Sequence, residues 1–195
     1  MDLLGSPLEI VAAIVGVVSV SLSVRPNIWS WPTAIVNVSL YVIVFYEAKL
    51  YADMGLQVVY IALSLYGWYQ WLYGGANHSE LPVTRIRART GVILAAIGVA
   101  ATALLGTVLH GHTNAALPFL DSATTATSLV AQWMMTRKLL ENWMVWIAVD
   151  VVYVGMFIYK SLYVTAVLYA IFLGLAVAGH RQWKRSLLTP VVAAA

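Results

Sequence analysis

Apolar residues gather along the chain into seven stretches, at about 7–24, 29–46, 54–73, 91–109, 119–136, 142–159 and 162–182. Each approaches the ~20 residues that a helix needs to cross a hydrocarbon layer. Polar junctions separate them: RPN at 25–27, EAKLYAD at 47–53, the longer stretch 74–90, HGHTN at 110–114, RKLLEN at 137–142 and YKSL at 159–162. The pattern predicts seven membrane-spanning helices. One residue breaks it, because the run ENWMVWIAVDVVY at 141–153 carries Asp150 in its middle. A carboxylate at that depth costs about 2.5–3.5 kcal/mol on insertion scales, so the rest of the chain must account for it.

Composition agrees with a polytopic membrane protein. The chain has 195 residues, 62% of them hydrophobic and only 10% charged, with a mean hydropathy of +0.83. A soluble domain carries about 25% charged residues. The net charge of +3 points to no nucleic-acid partner once the cations are placed. If seven spans put alternate junctions on opposite sides, one side receives Arg25, Arg85, Arg87, Arg89, Arg137, Lys138, Arg181, Lys184 and Arg185. The other receives Lys49 and Lys160, a ratio of nine to two that accounts for all eleven cations. The positive-inside rule makes the richer side cytoplasmic, with the N-terminus outside and the C-terminus inside. Acidic Asp2 and Glu9 argue against a cleaved signal peptide. With no cysteine there is neither a disulfide framework nor a thiolate metal site, and HGH at 110–112 is too little for a metal centre. No cofactor is expected.

The chain repeats itself. An offset of 112 residues aligns, without a gap, Arg25 with Arg137, Trp31 with Trp143, Tyr41 with Tyr153 and Phe45 with Phe157. It also matches Leu50–Tyr51 with Leu162–Tyr163, Gly67 with Gly179, Gln70–Trp71 with Gln182–Trp183, and acidic Glu9 with Asp121. Residues 7–73 and 119–183 therefore read as two copies of a three-helix bundle, and 91–109 as a linker span. An odd linker crossing keeps both copies in one orientation. The expected fold is all-α and integral to the membrane, seven helices as 3+1+3 parallel repeats about an axis along the membrane normal. Such folds favour transport, with a site near the midplane.

Polar residues inside the spans fall on faces. Trp146, Asp150 and Tyr153 share one side of the sixth span at i, i+4 and i+7. Asp121, Thr125, Ser128 and Gln132 form a stripe on the fifth; Asn37 and Tyr41 stand four apart on the second. The third offers Gln57, Ser64 and Trp68, with Tyr60 close by. Lipid cannot bond such stripes, so they face protein or a cavity. Aromatic faces beside a carboxylate suit a planar cation, and Asp150 has no Lys, Arg or His at its depth to pair with. It is expected to be kept because something positive passes it. Blander roles are expected for other residues: helix–helix glue for Ser64 and Ser128, interfacial anchoring for Trp29, Trp31, Trp71 and Trp183, and helix N-terminus stabilisation for Glu9 and Asp121. Asn37 and Gln132 fit glue and ligand contact equally.

Other classes fare worse. A retinal photoreceptor needs a lysine in the middle of the last span, which has none before Lys184. No HExxH, GxSxG or paired catalytic carboxylates suggest an enzyme, and no relay of carboxylates and histidines beside Asp150 suggests proton coupling.

The runs MMTRKLLENWMVWIAVDVVYVGMFIYKSLYVTAVLY and LYADMGLQVVYIALSLYGWYQW, with DSATTATS at 121–128, resemble the Pnu family of bacterial vitamin transporters. The resemblance spans residues 9 to 185. It implies an inner-membrane protein similar in architecture to the SWEET sugar transporters. It further implies facilitated diffusion of nicotinamide riboside, a pyridinium cation, with trapping by a cytosolic kinase. Binding residues carried over from the family are Asn37, Tyr41, Gln57, Trp146 and Asp150, with Gln132 beside them; Tyr153 joins them by sharing the Asp150 face. Sister branches move thiamine, also a ring cation, or riboflavin, and these alternatives stay open. A homo-oligomer is compatible with this reading and not specified by it.

Overall fold

The computed structural model describes residues 7–47, 49, 51–112, 117–159 and 161–188. They form seven α-helices: α1 (Pro7–Val24), α2 (Ser30–Glu47), α3 (Tyr51–Tyr73), α4 (Ala88–His112), α5 (Pro118–Thr136), α6 (Asn142–Tyr159) and α7 (Tyr163–Leu188). Asp2, Leu50, Lys160 and residues 113–114, and the side chains of Tyr51 and His112, lie outside the described residues. The helices follow the apolar stretches and overrun several of them, since helical geometry continues into polar flanks where water begins. Proline opens α1 and α5, where its missing N–H has no intrahelical partner to lose, and Glu9 and Asp121 sit in the same first turns against the positive helix end. At the other ends of α2 and α6, Lys49 and Ser161 take the same left-handed φ of 58°; the two positions are 112 residues apart.

By length and apolarity alone, α1, α4, α6 and α7 qualify as membrane spans. The other three are less apolar because they carry the polar stripes. On α5 the cost is partly met locally: Ser122 Oγ donates to the Pro118 carbonyl at 2.7 Å and Thr124 Oγ1 to that of Leu120 at 3.1 Å. Ser122, Thr124, Ala126, Ser128 and Ala131 are buried; of the stripe Asp121, Thr125, Ser128 and Gln132, Ser128 is buried and the other three are half-buried. The small side chains also let neighbouring helices approach closely.

Six helices close a ring through successive packing: α1 on α2, α2 on α3, α3 on α5, α5 on α6, α6 on α7, and α7 back on α1. Helix α4 packs on α5 and exposes Val92, Ile97, Val99 and Leu104, as a lipid-facing helix does. The loop entering α4 is stitched to the α5–α6 loop: Thr84 N–H donates to the Lys138 carbonyl at 3.1 Å, Leu140 N–H returns to Thr84 at 2.8 Å, and Ile86 N–H reaches a Glu141 carboxylate oxygen at 2.8 Å.

Four tryptophans form the core of one end. Trp31, Trp71, Trp143 and Trp183 are all at most 2% exposed, and only Trp29 of the presumed belt residues lies outside, at 65%. The expectation of interfacial anchoring is therefore corrected for Trp31, Trp71 and Trp183. They lie at span ends, as anchors do, but those ends converge on the ring axis rather than on lipid. Trp31 meets Trp71 edge to face at 5.2 Å, and Trp143 meets Trp183 likewise at 5.4 Å. Trp71 and Trp183 touch at 5.9 Å between centroids. Trp71 Nε1–H donates to the Met135 carbonyl and Trp183 Nε1–H to that of Ser23, both at 3.0 Å. Both donors and both acceptors are related by the 112-residue offset, so the indole bond from α3 to α5 has its counterpart from α7 to α1. Lys138 is buried beside them with Nζ 4.5 Å from the Trp71 ring centre. Burial pushes its ammonium below the ordinary lysine value, and the attraction of Glu80 opposes that shift.

Two glycines make room for the rings. A Cβ on Gly67 would lie 2.2 Å from the Trp31 indole, and one on Gly179 would lie 2.5 Å from Trp143. Gly67→Ala and Gly179→Ala should each lower stability by about 1–3 kcal/mol through overpacking, read as the unfolding midpoint in detergent. Gly55→Ala, where nothing stands within 4 Å, should leave that midpoint unchanged.

Candidate functional site

Asp150 lies midway along the 18-residue α6 and is 4% exposed, turned into the ring. Among the described residues no cation pairs with it. Tyr153, three residues on, packs its ring against Tyr169 of α7 at 4.7 Å and stacks on Phe157 at 5.8 Å. Tyr169 in turn lies within electrostatic reach of Asp150, of Tyr41 on α2 and of Tyr60 on α3. Phenol rings from α2, α3 and α6 thus gather on Tyr169, and Asp150 is in reach of that same tyrosine. Tyr41 stacks on Phe45 at 5.8 Å, the same arrangement as Tyr153 on Phe157.

Ser64 Oγ on α3 is buried with no hydrogen bond. Ser128 Oγ on α5 is buried against the Tyr60 hydroxyl of α3, a contact between helices of the kind expected of it. Trp146, one turn before Asp150, is half-buried and packs against the tryptophan core with Trp68. Along α6 from its start, the order is Trp143 in the core, Trp146 at its edge, Asp150, then Tyr153 and Phe157.

The other candidates are placed differently. Asn37 Nδ2 donates to the Ala12 carbonyl of α1 at 2.7 Å. Gly16 makes this approach feasible, since a Cβ there would stand 3.0 Å from the same nitrogen. Asn37 therefore ties α1 to α2. Gln57 on α3 and Gln132 on α5 are half-buried, and no hydrogen bond joins either to Asp150. Tyr169 was missed as a site residue, although the repeat marked it: 112 residues before it stands Gln57, a named candidate. No group of three His, Asp or Glu able to hold a metal occurs among the described residues.

The family model for "Nicotinamide mononucleotide transporter" matches residues 6–185. The chain belongs to this family. It is similar to the nicotinamide riboside transporter PnuC of Escherichia coli, with 29% identity over 92% of this chain and 85% of that one. It is also similar to the riboflavin/roseoflavin transporter RibM of Streptomyces davaonensis, with 29% identity over 90% and 83%. A crystal structure of the vitamin B3 transporter PnuC superposes with a TM-score of 0.73 at 26% identity, covering 93% of this chain and 82% of that one. The family is one of membrane transporters, not of enzymes, and the chain is a multi-pass membrane protein.

The geometry separates polar groups that bond a neighbouring helix from those that do not. Asn37→Ala should cost about 0.6–2 kcal/mol of stability, the range for interhelical bonds in lipid. Ser64→Ala should leave the thermal midpoint unchanged or raised, because its buried hydroxyl has no hydrogen bond to lose. Paired melting curves of the two variants in one detergent check this contrast.

Proposed function

We propose that the protein takes up nicotinamide riboside across a bacterial inner membrane by facilitated diffusion, with Asp150 receiving the pyridinium cation. The observation that carries this reading is Asp150 itself: a carboxylate 4% exposed at mid-helix, with no cation beside it among the described residues and with Tyr169 in reach. Such a group is costly in the membrane and gains most from a positively charged ring, which the phenol faces also attract. The PnuC relatives support the same choice. Trp146 and Tyr153 would flank the ring, with Tyr41, Gln57 and Gln132 within the same enclosure and Asn37 holding its wall. The RibM relative supports a second reading, riboflavin, and thiamine is a third; a neutral flavin leaves Asp150 without an opposite charge.

The membrane arrangement proposed with it is two parallel helix triplets joined by α4. Its support is the recurrence of contacts at one offset: the paired indole bonds, the two Trp–Gly contacts and the two left-handed caps. An outer N-terminus and cytoplasmic C-terminus follow from the nine-to-two division of cations. In this orientation the tryptophan core stands between Asp150 and the cytoplasm and must part for release. Cytosolic phosphorylation would then retain the product, since diffusion alone is reversible.

Purified protein titrated side by side with nicotinamide riboside, thiamine and riboflavin should prefer the riboside. Asp150→Asn should weaken that binding by about 1.5–3 kcal/mol, the worth of a charged hydrogen bond, and Asp150→Leu should abolish it in protein that still inserts. Preference for riboflavin, or normal riboside affinity in Asp150→Leu, would overturn the cation site. Counterflow in liposomes should be insensitive to collapse of the proton gradient. Trp146→Ala should cost about 1–3 kcal/mol of affinity, the worth of stacking on a ring.

A further inference from the structure

The basic end of the ring has two seams between the triplets, and they differ. At the α3–α5 seam, Arg137 Nη1 donates to Gln70 Oε1 at 2.8 Å and to the Tyr66 hydroxyl at 3.2 Å. This arginine is held by its neighbours, and beside it Arg85 and Arg87 join it around a cleft of about 280 Å³. The offset of 112 carries Arg137, Gln70 and Tyr66 onto Arg25, Gln182 and Ala178 at the α1–α7 seam. Arginine and glutamine are kept there, but the phenol that bonds the arginine at the first seam is reduced to a methyl group. Tyr69 and Tyr73 correspond to Arg181 and Arg185, so two further rings give way to guanidinium groups.

The result is a cleft of about 500 Å³ lined by Val24, Arg25, Ala178, Arg181, Gln182 and Arg185. Three arginines and one amide face it, and no carboxylate lines it. Like charges at this spacing repel, and guanidinium forks match the oxygens of a phosphate. The volume lies in the range of small-ligand sites.

We propose that this cleft binds a phosphate group, carried either by an anionic lipid headgroup or by a small soluble phosphate ester. At the α1–α7 seam, Ala178, Arg181 and Arg185 stand where Tyr66, Tyr69 and Tyr73 stand on α3, and the cationic cleft there is the larger of the two, about 500 Å³ against 280 Å³. The site is remote from Asp150 and takes a ligand of opposite charge.

The test uses the full chain in nanodiscs without vitamin. One arm compares phosphatidylcholine discs with discs containing phosphatidylglycerol, reading retained lipid by native mass spectrometry. The other titrates inorganic phosphate and adenosine monophosphate into phosphatidylcholine discs at constant ionic strength. Binding in the first arm assigns a headgroup, and binding in the second assigns a soluble phosphate; either supports the site. Arg181→Gln with Arg185→Gln should weaken it about tenfold or more. Ala178→Tyr, which copies the α3–α5 seam, should do the same while the melting midpoint in phosphatidylcholine holds. No preference for the anion in either arm, or equal affinity in these variants, would overturn the proposal. Because no vitamin is present, failure here is independent of what the protein carries.

Discussion

Hydrocarbon offers a polar group no partner, and this constraint organises the molecule. Every amide, hydroxyl and carboxylate within the spans must be met by the chain itself or turned toward the interior of the ring. The hydroxyls of α5 meet part of it by bonding their own helix. Asn37 meets it across to α1, and Trp71 and Trp183 across to the opposite triplet. Helix α4, whose Thr102 and Thr107 hydroxyls bond their own helix, remains outside and shows its apolar side chains. Among the described residues, the buried groups left unmet include Asp150 at mid-helix, the Ser64 hydroxyl on α3, and the indole N–H groups of Trp31 and Trp143 in the tryptophan core.

The duplicated contacts and the unmet groups belong to different parts of the structure. At the basic end the two triplets copy each other closely, because a reciprocal pair of indole bonds needs the same donor, acceptor and glycine on both sides. Around Asp150 they diverge. The residue 112 positions before Asp150 is Val38, before Trp146 it is Ala34, and before Tyr169 it is Gln57. The recurring contacts stand at the tryptophan core, while the residues around Asp150 differ between the two sequence repeats. Only Tyr41 and Tyr153 are kept in both, and both retain their stacked phenylalanine. The α1–α7 seam differs in the same way at the rim, where Ala178 replaces the Tyr66 that bonds Arg137 at the other seam and a larger cleft results.

Much of this was legible in the one-dimensional pattern. Apolar stretches of sufficient length determine helices in lipid, because unpaired backbone groups leave no alternative, and all seven formed close to where they were expected. The 112-residue offset anticipated which contacts recur, and the isolation of Asp150 from any cation in its span anticipated its unpaired state. These depend on composition and spacing along a helix, which local sequence carries.

Other features depended on which helices meet. Trp31, Trp71 and Trp183 have the spacing and position of belt anchors, and only the convergence of four helix ends on one axis buries them. Asn37 could serve a ligand or a neighbour equally well until Gly16 came opposite it and let its amide reach the Ala12 carbonyl. Tyr60 and Tyr169 joined the site, and the two basic seams became unequal, through packing between helices far apart in the chain. Periodicity states which face of a helix is polar; it does not state what stands across from that face, because that is set by the closing of the ring.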